Sequence, residues 1–391
     1  MHTTAGRRAQ RSQGDVRGRT RPIRILYVMD ALHGGDRVGG TEGQVLELLA
    51  HLDPHGFEPH LALFRSTPYV EHGATFPCPS TVLDIRKLSS AGSVVKLLRL
   101  TSRVRAEQFD LVHVFLNDAS VAAPLFCRLG GATVVVSRRD MGFWYTSRTI
   151  RALRLSNLWV TRIIANSKAV KQNVHRRERF PLDAIEVFYN GHDPARFDAA
   201  RLPGFRERLE IGADDPIIGM VANLYPWKRH IDLLRAFAVV RRQHPSAHVV
   251  LVGTGAMHDT LQHTARTLGL EASVHLIGGV ADAVPVVKHF AVGVLCSESE
   301  GLSNAVIEYM GTATPTICTN VGGNPEIITD GQTGFLIDPG DIETLIARID
   351  LLLSHPTMCE SMGRKAVLAS RRLTSRHMAA SHMELYERLV R

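Results

Sequence analysis

Short stretches that are apolar at nearly every position recur along the chain, separated by longer stretches in which apolar residues return every three or four positions. The first kind reads as strands covered on both faces, the second as helices laid over them. Ile23–Met29, Pro59–Phe64, Thr81–Ile85, Asp110–Phe115 and Ala132–Ser137 are such runs in the first half, and Ile163–Ser167 is a strand-to-helix step. Ile217–Asn223, His248–Gly255 and Ala291–Leu295 repeat the pattern in the second half. Helical spacing begins near Glu42, spans Arg86–Arg105, follows Ile337 as Leu345–Leu353, and closes the chain near Arg376–Val390. This alternation predicts an α/β protein with two doubly wound parallel sheets.

At 391 residues the chain is too long for one ordinary domain. It fits two of ~150–200 residues each. Pro203, Gly204 and the run Ala213-Asp214-Asp215-Pro216 place a linker at 191–215. The expected division is a basic tail over 1–22, a first domain over 23–200, a second over 201–372 and a closing helix over 373–391.

Charge changes the picture only at the N-terminus. The formal net charge is +8, but residues 1–24 hold seven arginines against Asp15, so the rest of the chain carries only +2. A tail of Arg, Gln, Gly and Thr buries no core and is expected to be disordered. Contact with acidic lipid or nucleic acid is one reading of it and a solvated tail the other; no nucleic-acid partner is expected. No apolar run approaches a membrane span, and no signal-peptide core is visible, so a cytoplasmic protein is expected. The five cysteines are scattered and form no C-x-x-C, which favours free thiols over a zinc site.

The chemistry gathers around Cys296–Met310. The apolar run ending at Leu295 stops at a polar loop, and Ser303 or Asn304 can cap the helix that follows. A strand, a short loop and a helix N-terminus make an anion site, because unpaired N–H groups and the helix dipole face one point. Glu300 and Glu308 flank that site. A carboxylate there repels the anion unless it holds an uncharged part of the same ligand, such as sugar hydroxyls. The inferred ligand is a sugar attached to a phosphate.

The same segment resembles the E-x7-E motif of retaining glycosyltransferases of family four, which have the GT-B fold of two Rossmann-like domains facing a cleft. The resemblance continues through Gly311–Ile317, Gly322–Glu326 and Asp330–Leu336, and an ordered set of four segments is far more specific than two glutamates. It covers about residues 23–372. Gly39-Gly40-Thr41-Glu42 resembles the family's loop over the donor diphosphate. Glu186–Phe197 resembles its interdomain segment, and Val274–Val280 the segment whose backbone meets the nucleobase, with Val280 in the donor site.

The resemblance implies transfer of a sugar from a nucleotide-sugar, most simply a UDP-sugar, to an acceptor hydroxyl with retention. Lys228 and Arg229, at a strand end, would stabilise the departing diphosphate. Backbone groups of Leu302, Ser303 and Asn304 would hold the phosphates, Glu308 the ribose and Glu300 the donor sugar. Asn223 stands where the family usually carries arginine, and Arg229 is the candidate replacement. Where the family has a histidine beside the donor sugar, this chain has Ser137-Arg138-Arg139-Asp140, so Arg139, Asp140 and His113 are candidates on the acceptor or sugar side. No D-x-D occurs, and neither a metal nor another cofactor is expected. The implied acceptor is a sugar or a lipid-linked sugar in cell-surface polysaccharide or glycolipid assembly. Two basic, apolar helical regions, Arg86–Arg105 and Phe143–Arg162, suit an acidic membrane surface; the first equally suits a solvated helix face, the second a cover for the acceptor groove. The rival functions are a nucleotide-sugar epimerase on the same fold and a non-catalytic nucleotide-sugar-binding protein.

Overall fold

A computed structural model describes residues 21–32 and 40–391. The expected tail, apart from its last two residues, and Gly39 of the glycine loop lie outside the described residues. Seven strands form the first sheet: β1 (Ile23–Met29), β2 (Phe57–Leu63), β3 (Ser80–Val82), β4 (Leu111–Val114), β5 (Thr133–Arg138), β6 (Arg162–Ala165) and β7 (Ile185–Val187). Their order is β3-β2-β1-β4-β5-β6-β7, with every neighbouring pair parallel. Six more form the second: β8 (Ile217–Val221), β9 (His248–Val252), β10 (Val274–Leu276), β11 (Val292–Leu295), β12 (Thr316–Thr319) and β13 (Phe335–Ile337). Their order is β10-β9-β8-β11-β12-β13, again parallel throughout. These are two Rossmann-like domains.

The continuous apolar runs follow from burial on both sides. On β1, Ile25, Tyr27 and Met29 pack into one core, while Leu26 and Val28 pack into the other. Alternate side chains of a strand point to opposite faces, so both sets must be apolar when helices cover both. The helix Ser375–Val390 lies over the first sheet, where Met378, Ala379, Leu385 and Tyr386 join the core of Ile25 and Tyr27.

Each sheet reverses its strand order once, between β1 and β4 and between β8 and β11. Ligands of doubly wound sheets bind outside the carboxyl ends of strands at such points. The loops leaving β8 and β11 therefore carry the chemistry of the second domain.

Two helices depart from expectation. The segment read as helical from Arg86 begins at Ala91, because the Ser90 side chain accepts the Ser93 N–H and sets the start. Phe143-Trp144-Tyr145 precede the helix Ser147–Ser156 instead of belonging to it. No helix among the described residues is long and apolar enough to cross a membrane.

Candidate active site

The two domains face each other across a cavity of about 1370 Å³. One wall is the loop between β11 and the helix Asn304–Gly311. Ser303 is the cap of that helix: its Oγ accepts the Val306 N–H at 3.3 Å, and Asn304 is the first helical residue. The loop is held from several sides. Glu298 N donates to Trp227 O at 2.8 Å, Thr319 Oγ1 to Ser297 O at 2.7 Å, and Gly323 N to Gly301 O at 2.9 Å.

Glycine is required twice here. A Cβ on Gly301 would sit 2.1 Å from the Arg139 carbonyl oxygen of the other domain, and one on Gly322, where φ is +54°, 1.6 Å from Glu300 O.

Lys228 ends a short 3-10 turn after β8, and its Nζ lies 2.6 Å from Glu300 Oε1. Both side chains are mostly buried and line the cleft. This joins a cation, a carboxylate and a helix N-terminus around one space, the arrangement needed to meet a phosphate and a hydroxyl-bearing group together. Asn223, Val280, Leu302, Ser303 and Asn304 line the same cavity, as does Gly40 from the first domain. Asn304 Nδ2 donates to Gly40 O at 3.1 Å across the cleft.

Arg229 does not join them. The backbone is left-handed there (φ 55°), and the guanidinium pairs with Asp232 at 2.6 Å and Glu298 at 2.7 Å. It lines a separate cavity of about 220 Å³. Lys228 is the cation of the pair that reaches the cleft.

On the opposite wall, His113 is likewise a correction. It is fully buried, with Nδ1 2.6 Å from Tyr386 Oη and Nε2 2.9 Å from Ser137 Oγ. Its side chain points to the sheet face covered by the terminal helix, not beyond the strand's end, and burial holds its pKa well below the usual histidine value. After β4, the N–H groups of Asn117 and Asp118 bind the Asp30 carboxylate, and the Asp118 carboxylate pairs with Arg65.

Arg139 and Asp140 do line the cleft. Arg139 donates to Asn190 Oδ1 at 2.7 Å, and burial lowers its pKa to about 10. Asp140 accepts from Gly142 N and Trp144 Nε1, while burial pushes its carboxyl upward.

Arg196, Asp282 and Asn190 had no separate signal in the sequence, whereas Glu308 was expected at the donor. Glu308 is buried against Arg196, whose Nη2 lies 2.8 Å from Glu308 Oε1 and 2.6 Å from Asp282 Oδ1. Burial raises the Glu308 carboxyl and Arg196 draws it back down. Asn190 Nδ2 reaches Leu302 O and Asn304 Oδ1. Glu326, in the second domain, caps a helix of the first: its carboxylate accepts Lys168 N and Ala169 N, both at 2.9 Å, and the Tyr189 hydroxyl. Arg196 and Asn190 belong to the segment read as interdomain, and an interdomain segment in this fold necessarily passes the floor of the cleft. Among the described residues, no cluster of His, Cys, Asp and Glu is arranged to hold a metal ion.

Comparison with known proteins gives the same assignment for both halves. Residues 38–196 match the family model described as Glycosyltransferase Family 4, and residues 203–368 match that of Glycosyl transferases group 1. The putative glycosyltransferase EpsD of Bacillus subtilis is 33% identical over 183 residues, 47% of this chain and 46% of that protein. The UDP-Gal:alpha-D-GlcNAc-diphosphoundecaprenol alpha-1,3-galactosyltransferase of Escherichia coli is 26% identical over 343 residues, 83% of this chain and 86% of that one. Among solved structures, HepE of Anabaena in complex with UDP superposes with a TM-score of 0.80 at 20% identity, covering 93% of this chain and 99% of that one. The chain belongs to the glycosyltransferases of family four, with the GT-B fold.

Proposed function

We propose that the chain transfers a sugar from a UDP-sugar to an acceptor hydroxyl, with retention at the anomeric carbon and without a metal ion. The observation that carries this reading is the Lys228–Glu300 contact of 2.6 Å beside the N-terminus of the helix Asn304–Gly311. In the reaction the bond from the anomeric carbon to the diphosphate oxygen breaks. The acceptor oxygen bonds to the same face of that carbon, and its proton passes to the departing diphosphate. Lys228 Nζ and the backbone N–H groups at 302–304 meet the charge that develops on the diphosphate, where preorganised donors act most strongly. Glu300 then exchanges its contact with Lys228 for the donor sugar's hydroxyls, and Glu308 takes the ribose. Support for UDP comes from the Escherichia coli relative, a UDP-Gal-dependent galactosyltransferase by name, and from the Anabaena complex with UDP.

The acceptor approaches from the Arg139–Asp140 wall, and its class is a sugar or a lipid-linked sugar. Val94, Val95 and Leu98 are exposed on the helix Ala91–Ala106, as are Leu155 in the helix Ser147–Ser156 and Leu158 just after it. Arg99, Arg148 and Arg151 accompany them, so this side suits the inner face of an acidic membrane.

The test is release of nucleoside diphosphate from a panel of UDP-, GDP- and ADP-sugars in the presence of a chelator. Release from a UDP-sugar at an undiminished rate agrees with the reading. Release that requires a divalent cation contradicts the metal-free part. An epimer formed from donor alone would replace transfer with epimerisation.

A further inference from the structure

His192 stands where the chain passes between the domains. Its N–H donates to Leu373 O at 3.0 Å and its carbonyl accepts from Ser375 N at 3.1 Å, so its backbone is fixed against the final crossover. The side chain is 5% exposed and lines the cleft. Arg196 Nη1 lies 3.1 Å from His192 Nδ1. A guanidinium only donates, so Nδ1 must present its lone pair and the ring proton must sit on Nε2. Burial, with the Arg196 charge beside it, pushes the ring's pKa down to about 4, and the imidazole is neutral at pH 7. Nε2 is buried and meets no acceptor at hydrogen-bonding geometry among the described residues; the Asn304 side chain beside the ring favours its protonated form without closing that bond.

The groups facing this ring come from three elements. Arg196 lies on its own segment, Asn304 at the start of the helix Asn304–Gly311, and Asp282 after β10. Arg196 is already committed to Glu308 and Asp282, so its charge is spent within the protein. What remains for a ligand is one oriented, uncharged N–H. A buried donor without a partner is costly, and such groups call for a ligand or water to complete them.

We propose that His192 Nε2–H is a binding contact to a diphosphate oxygen of the bound nucleotide, oriented by Arg196. This rests on the donor reading above and adds a residue to it. The division of labour follows from chemistry: Glu308, an acceptor, complements hydroxyls that donate, whereas an N–H complements phosphate oxygens that only accept. The ring also neighbours Asn304, at the helix end where an anion is favoured. One arginine thus holds both the ribose acceptor and the phosphate donor in register.

The experiment is calorimetric titration of UDP and of uridine into the full chain, His192→Phe and His192→Gln. Phenylalanine keeps the ring and removes the donor, while the glutamine amide reaches the place of Nε2. The expected result is UDP affinity about tenfold weaker or more in His192→Phe, as for loss of a hydrogen bond to a charged group. Uridine affinity should hold, and His192→Gln should recover most of the UDP affinity. Unchanged UDP affinity in His192→Phe would overturn the proposal. Equal losses for UDP and uridine would overturn the phosphate assignment. If His192→Phe does not melt like the parent, His192→Met makes the same comparison with His192→Gln. A parent chain that binds neither compound points instead to failure of the donor reading, which separates the two.

Discussion

Two ion pairs of similar length do opposite things in this molecule. Arg138 and Glu178 meet at 2.8 and 2.9 Å inside the first domain, and Lys228 and Glu300 meet at 2.6 Å in the cleft. In Arg138–Glu178 every side-chain nitrogen and oxygen has a partner within the protein. Arg138 also donates to Ser120 Oγ, and Glu178 accepts from Asn157 and the Tyr145 hydroxyl. Lys228–Glu300 is one bond between groups able to form several, and both face open space. Residue type does not tell these pairs apart; how completely each is satisfied does. A saturated buried pair holds the fold, whereas an unsaturated pair at a strand end is left available for ligand.

The sharpest way to break the comparison is to remove one partner of each pair. Glu178→Ala strands the buried Arg138 and should cost about 3–5 kcal/mol of stability, read from denaturant unfolding. An unchanged midpoint would show that the saturated network is not structural. Lys228→Ala should leave the midpoint nearly unchanged while lowering turnover by about 2.7–4 kcal/mol in barrier, the scale of a lost charge-stabilising donor. A large loss of stability with normal turnover per folded molecule would reverse the two roles.

Acidification separates the two regions next. His382 and His230 are buried with pKa values pushed down to about 4, and His113 is lowered as well. The unfolded chain takes up protons below about pH 6.5 that these folded histidines refuse. Stability is therefore full above pH 7 and falls toward pH 5, by about 1.4 kcal/mol per histidine for each pH unit. Unfolding midpoints at pH 7.5 and 5.5 measure it, and a flat profile would contradict the burial of these rings as neutral donors and acceptors. The smallest effect belongs to Glu326→Gln, which keeps an oxygen at the helix Lys168–Glu178 and loses its charge. About 1 kcal/mol of stability should go, the scale of a helix N-terminal interaction, and a loss of several would make this contact a main support between the domains.

Much of this was legible beforehand, for reasons that differ by region. β1 matches its apolar run residue for residue, because a strand buried on both faces is apolar almost throughout, with only the half-buried Arg24 near its start as an exception. β12 was not read as a strand: Thr316-Ile317-Cys318-Thr319 is short and half polar, and its burial comes from lying between β11 and β13. Lys228, Glu300 and the cap at Ser303 were legible from loops that follow strands, but the same place misled for Arg229, whose left-handed backbone turns its side chain to Asp232 and Glu298. His113 was misleading because its place in the strand gave no sign that Tyr386, 273 residues away, covers it. His192, Arg196, Asp282 and Glu308 converge from three distant stretches, and no local pattern announces such a meeting.

The most direct test of the cleft is calorimetric binding of UDP to the parent chain and to Lys228→Ala. Binding to the parent, weakened about tenfold or more in the variant, is the predicted result. Absence of binding to the parent, or equal affinity in both, would contradict a diphosphate site built on Lys228.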